Sequence, residues 1–338
     1  MAREQDHSYP TDVFGLPEGL LAAIVAALLL VGAFALHVFA TPMPPAERWG
    51  SLTAFSVLAL GLTLPGCAAL YDGLGRVVRR DRRALAALLA VAPTLYAAYA
   101  LAVRELTAVG LLSAILFTVV PALAFGLARE RRQPALADAV ALTYLGLALG
   151  LRLVPPLTLP QQGGLVGFFS LTVAPLLLIL FAARGWPGLG FTWRLSGREL
   201  RDALAAGLLA TVLALGANTL LYGIRPAGGL PSAGSFIMSI INSYFFVALP
   251  AELLLRGGAQ NGLARALAGR AGPRAPWLAL AAATALSALA GIAPGGWPLG
   301  PVAGGIAGLA AGWSYIRTGK LTASALASGL VVLGVSLT

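Results

Sequence analysis

Two ionisable side chains, Glu252 and Arg256, stand four residues apart inside the apolar run Ala251-Glu252-Leu253-Leu254-Leu255-Arg256-Gly257-Gly258-Ala259-Gln260. That spacing places them on one face of a helix. A carboxylate there could take a proton from water, and a guanidinium could hold a developing negative charge. Ionisable groups within a membrane are costly, so a retained pair is a candidate functional site. The plainer reading is a buried ion pair that sets helix register. Little else in the chain can do chemistry. Cys67 stands alone, which excludes a disulfide framework and a thiolate metal site. His7 and His37 are the only histidines, so a zinc site of three or four ligands has little to build from. No cofactor and no bound metal are expected.

The elements that must position the pair are membrane helices. The 338 residues are 58% hydrophobic and 11% charged, whereas a soluble domain carries about 25% charged residues. Apolar stretches near the ~20 residues that cross hydrocarbon recur between residues 19 and 337, the last few short or rich in glycine. The expectation is an all-α polytopic transmembrane helix bundle with nine to eleven spans. A net charge of +10 could suit nucleic acid, but the arginines fall in short loops between apolar runs. That is the positive-inside pattern, and it argues for a lipid partner and against nucleic acid. With a cytoplasmic N-terminus, 19 of the 23 basic residues fall on the inner side, and the C-terminus lies outside. The leader is a poor signal peptide, since Glu4, Asp6, Asp12 and Glu18 outweigh Arg3. Arginine outnumbers lysine 22 to 1, a composition that fits a GC-rich bacterium and a multi-pass protein of the bacterial inner (plasma) membrane.

Three parts are expected. Residues 1–183 form an N-terminal transmembrane extension with no chemistry to assign; Tyr96 and Tyr99 read as interfacial anchors. Residues 184–235 hold a cytoplasmic loop, one span and an outer linker. In that loop Trp186-Pro187-Gly188-Leu189-Gly190 breaks the chain, and Ser196 with Glu199 reads as a capping box, stapled by Leu195 and Leu200. Residues 236–338 carry the Glu252 and Arg256 pair.

From about Phe245 to Leu330 the chain resembles the CAAX-processing and bacteriocin-processing (CPBP) family of intramembrane endopeptidases. Against the family's first motif, Glu-Glu-x-x-x-Arg-Gly with a glutamine or asparagine one turn on, the chain sets Ala251, Glu252, Arg256, Gly257, Gln260 and Asn261. A glycine-rich helix with Gly304, Gly305, Gly308 and Gly312 then leads to Arg317-Thr318-Gly319-Lys320-Leu321. Four-residue glycine spacing also lets helices approach closely in any membrane protein. The departures are as specific as the matches. The resemblance implies that the first glutamate activates the attacking water, and here that place is Ala251. The Phe-x-x-x-His motif aligns with Ala290 and Pro294, and the last histidine with its polar partner aligns with Ser328 and Val332. Hydrolysis needs a base and oxyanion donors, which alanine, proline and valine side chains cannot provide.

The resemblance therefore implies a catalytically impaired or inactive relative, with Glu252 and Arg256 as the motif's remnant. Its expected partner is a hydrophobic or lipidated peptide or another membrane protein. A second reading is an active intramembrane protease with an altered site, using Glu252 as base and Ser328 or backbone groups as oxyanion donors. A third is a transporter, with Asp138, Arg152, Asn218, Asn242 and Glu252 lining a pathway.

Overall fold

The computed structural model describes residues 17, 19–127, 134, 136–151, 153, 157–161, 164–223, 232–292 and 299–337. They form an all-α polytopic helix bundle. Helices α1 (Leu20–Ala40) and α2 (Pro45–Thr63) are joined by a four-residue link, and Pro45 opens α2 where its missing N–H costs nothing. A 3₁₀ turn leads into the short helix α3 (Ala68–Arg80), and Asp81 caps α4 (Arg82–Ala102) by accepting the Arg83 N–H at 2.7 Å. Then come α5 (Ala108–Leu127) and α6 (Leu136–Gly150). An antiparallel hairpin follows, β1 (Thr158–Gln161) with β2 (Gly164–Gly167), in register Thr158 to Gly167.

Helix α7 (Phe168–Arg184) is the pillar of the molecule. Phenylalanine, leucine, valine and alanine surround it, and nearly all of its residues are buried; a helix apolar all round belongs inside other helices. Helix α8 (Gly197–Tyr222) begins with the expected capping box, Ser196 Oγ accepting the Glu199 N–H and the Glu199 carboxylate accepting the Ser196 N–H. Its outer face exposes Leu208, Leu209, Val212 and Leu213. That face suits lipid, not water.

Residues 233–271 make one uninterrupted rod: α9 (Ala233–Ile241), a π-helical stretch Asn242–Ala248, α10 (Leu249–Glu252), a second π stretch Leu253–Gln260, and α11 (Asn261–Ala271). Pro250 lies mid-rod and lacks an N–H. The chain accommodates it by widening on either side, with the Leu249 N–H reaching Tyr244 and the Asn261 N–H reaching Arg256, five residues back. Gly272, at φ 50°, ends the rod, and α12 (Ala275–Ala290) folds back along it. Helices α13 (Gly300–Thr318) and α14 (Leu321–Ser336) close the bundle, hinged at Gly319.

Among the described residues, six stretches are long and apolar enough to cross a membrane, the last of them, Ala233–Ala290, combining rod and α12. Helices α6, α7 and α14 are apolar but only 15, 17 and 16 residues long, and α13 is diluted by glycine. The difference from nine to eleven expected spans has a physical reason for two of them: α7 and α14 are largely buried among other helices and need not match the bilayer thickness themselves. Tyr96 and Tyr99 are not interfacial anchors. Both are 2% exposed; Tyr96 packs on Phe168 and Phe169, and Tyr99 donates to the Thr158 carbonyl at 2.9 Å.

Candidate functional site

The rod delivers Glu252 and Arg256 to a place where four helices meet. Both side chains are completely buried. Arg256 Nε donates to Glu252 Oε2 at 2.9 Å, Nη1 to Gln260 Oε1 at 3.1 Å, and Nη2 to Ser287 Oγ at 3.2 Å and to the Gly308 carbonyl at 2.7 Å. Residues four apart share one face of the rod, so the guanidinium sits between Glu252 and Gln260. Gln260 in turn donates to the Gly312 carbonyl at 3.3 Å, and Ser324 Oγ donates to Glu252 Oε2 at 2.8 Å. One arginine thus ties the rod to α12 and α13, while its carboxylate partner is tied to α14. Glu252 Oε1 is buried and accepts no hydrogen bond among the described residues.

The glycine spacing on α13 is what admits the guanidinium. A Cβ at Gly308 would come within 2.7 Å of the Ser287 side chain and 3.2 Å of Arg256 Nη2; one at Gly312 would come within 2.8 Å of Gln260 Oε1 and 3.1 Å of Arg256 Nη1. Bare backbone at these two positions lets carbonyl oxygens face the guanidinium. Gly304 serves closer helix approach, since its Cβ would meet the Ser287 carbonyl at 2.9 Å.

Two of the positions at which the sequence departs from the motif, Ala251 and Ala290, face away from this network. A cavity of about 520 Å³ opens between α6, α7, the rod and α12. Ala251 and Ala290 line it, beside Leu142, Phe246 and Leu254; Thr143 and Ser170 are its polar side chains, and neither Glu252 nor Arg256 reaches its wall. Ala251 also joins Val332, Leu255, Ala303 and Ala307 in an apolar cluster against α8. Two places where the motif has polar groups, Ala251 and Val332, thus share one greasy core. Ser328 is buried, and its hydroxyl donates to carbonyls of its own helix, Ser324 at 3.3 Å and Ala325 at 3.4 Å. Pro294 lies outside the described residues.

Comparison with known proteins falls on this region. Residues 233–333 match the family model described as type II CAAX prenyl endopeptidase Rce1-like. They belong to the CPBP family. The match begins at the first residue of the rod and ends near the close of α14, so the CPBP region holds every side chain of the Arg256 network. Neither the curated proteins nor the solved structures provided a match.

Outside the CPBP region, Asp138 of α6 is buried and accepts two hydrogen bonds from Arg184 at the end of α7, at 3.1 and 3.3 Å. It makes an interhelical contact. Asn218 is buried on α8 and Asn242 is half-buried at the first π stretch, well separated in sequence and on different helices; Arg152 lies outside the described residues. Sequence reasoning missed Ser287, Ser324 and Arg184. Arg184 counted only as a basic loop residue, and a serine in a membrane helix carries no signal until its neighbour across the interface is known.

Proposed function

We propose that this multi-pass membrane protein is a non-catalytic member of the CPBP family, resident in a bacterial inner membrane, which holds a hydrophobic peptide or partner helix without cutting it. One observation carries the reading. The motif's surviving glutamate and arginine are sealed in a hydrogen-bonded network, whereas the wall of the cavity carries Ala251 and Ala290. A cavity of about 520 Å³ lined mainly by leucine and alanine suits an apolar segment. Hydrolysis there would lack a base to deprotonate water, and losing several members of one catalytic unit rarely leaves useful turnover.

A second reading, an altered protease that uses Glu252 as base, draws on the unpartnered Glu252 Oε1. A single assay separates them. Purified protein in lipid is given prenylated and unprenylated membrane peptides, with Glu252→Ala alongside. The expected result is no turnover above that of the variant, with peptide binding weakened at least tenfold by Ala290→Trp, which fills the cavity. Turnover that Glu252→Ala abolishes overturns the proposal. Gain of cleavage in the triple variant Ala251→Glu, Pro294→His, Ser328→His, and only there, supports it.

A further inference from the structure

Helix α3, which the CPBP region leaves unused, is divided by its own sequence into faces. Tyr71, Leu74 and Val78, at helical spacing, pack on Ala182 and Ala183 at the end of α7 and on Leu85 and Leu88 of α4. Leu70 and Val77 lie beside that stripe, yet they remain 42% and 52% exposed. Arg76 and Arg80 project from the polar side, and Arg82 and Arg83 follow at once in the first turn of α4; all four are exposed. Among the described residues no hydrogen bond or ion pair is seen for these four side chains, whereas Arg79 donates to the Ala182 carbonyl at 2.9 Å. The segment's acids are Asp72 and Asp81, and Asp81 serves as the α4 cap.

A helix with an apolar face wider than its protein contact and arginines along the polar edge lies in the plane of a membrane surface. Here the neighbouring element fixes the depth. Helix α4 is an apolar span that starts two residues after α3 ends, so the arginines stand where hydrocarbon gives way to headgroups. Four clustered guanidinium groups at that level complement phosphate oxygens, with which each fork can form paired hydrogen bonds. Arginines that served topology alone would need charge near the span; they would not need Leu70 and Val77 exposed beside them.

We propose that α3 and the first turn of α4 form a docking surface for anionic phospholipid, with Arg76, Arg80, Arg82 and Arg83 on the phosphodiester headgroups and Leu70 and Val77 among the acyl chains. This surface is independent of the cavity and of the reading given to it. The test titrates the purified full chain, in neutral detergent, with phosphatidylglycerol and with phosphatidylcholine, bound lipid being counted by native mass spectrometry. Phosphatidylglycerol binds at least tenfold more tightly, and each of Arg76→Gln, Arg80→Gln, Arg82→Gln and Arg83→Gln weakens it roughly fivefold. Arg270→Gln, which removes an exposed arginine from the far end of α11, retains binding. Equal affinity for the two lipids overturns the proposal, as does a loss in Arg270→Gln as large as in the α3 variants. Displacement of the lipid by millimolar inorganic phosphate also overturns it, by reducing the surface to a free-anion site. Leu70→Ser with Val77→Ser weakens both lipids several-fold; unchanged binding in that variant overturns acyl insertion.

Discussion

Glu252 and Arg256 form a fully buried ion pair that joins the rod to its neighbours. A buried guanidinium is costly unless nearly every N–H finds an acceptor, and Arg256 finds four on three elements. Replacing it alone strands the Glu252 carboxylate in the interior. We expect Arg256→Met to cost about 3–5 kcal/mol in unfolding followed by detergent denaturation. Pairing it with Glu252→Leu should return part of that loss, because no lone charge then stays buried; no recovery would mean that Gln260 and Ser287, not the ion pair, dominate. Ser324→Ala removes one of two donors to Glu252 Oε2 and is expected to cost about 1 kcal/mol. The pair itself was legible from its spacing in an apolar run. Its outer partners were not, because Ser287 lies 31 residues on from Arg256 and Ser324 lies 72 on from Glu252, and they meet the pair only when α12 and α14 pack.

Among the elements, the loop between α7 and α8 does more than connect. Trp186 Nε1 donates to the Gly257 carbonyl at 3.0 Å, the Tyr315 hydroxyl donates to the Gly188 carbonyl at 2.7 Å, and the Leu321 N–H donates to the Gly190 carbonyl at 3.0 Å. Two glycines here make a controlled comparison. Gly190 and Gly319 both have φ near 65°, but a Cβ on Gly190 would strike the Gly319 carbonyl oxygen, 1.8 Å away, while a Cβ on Gly319 meets open space. Gly319→Ala should therefore show only the left-handed backbone cost, about 1–2 kcal/mol. Gly190→Ala adds a clash with backbone that cannot yield, and at least about 1 kcal/mol more is expected. Thermal unfolding of the two variants side by side checks this; equal losses would place both effects in the backbone alone. The glycine-rich break and the capping box were readable from residue types, since turns and caps are local. That the loop clasps the rod and the α13–α14 hinge was not, because those contacts join residues 71 to 131 positions apart.

One apolar cluster runs from α1 to α14, with Phe34 stacked on Phe55 and Phe55 edge-on to Phe246 of the rod. The Trp193 indole donates to the Thr63 carbonyl at 2.7 Å, fastening the loop to the end of α2. The N-terminal helices thus supply one wall of the bundle in which the CPBP region sits. We expect the fragment 184–338 expressed alone to aggregate or be degraded, because Leu249, Leu253 and Phe246 would lose α7 and α2. Co-expression with 1–183 should restore a monodisperse complex, read by fluorescence-detected size exclusion. A stable isolated fragment would show that the C-terminal helices need no such wall.

Membrane class, helix content, the breaks between helices and the family of residues 233–333 were all written in local composition and spacing, because lipid and the helical period act on short stretches of chain. What only the tertiary structure decided was the fate of each polar group. Asp138 became half of an ion pair with Arg184, Tyr96 and Tyr99 became core, and Glu252 became a sealed anchor on one side of a rod whose other side lines the cavity. The direction in which a side chain points, and what waits there, depends on how distant helices pack. Packing of that kind rests on many weak contacts spread across the chain, and no single stretch of sequence contains it.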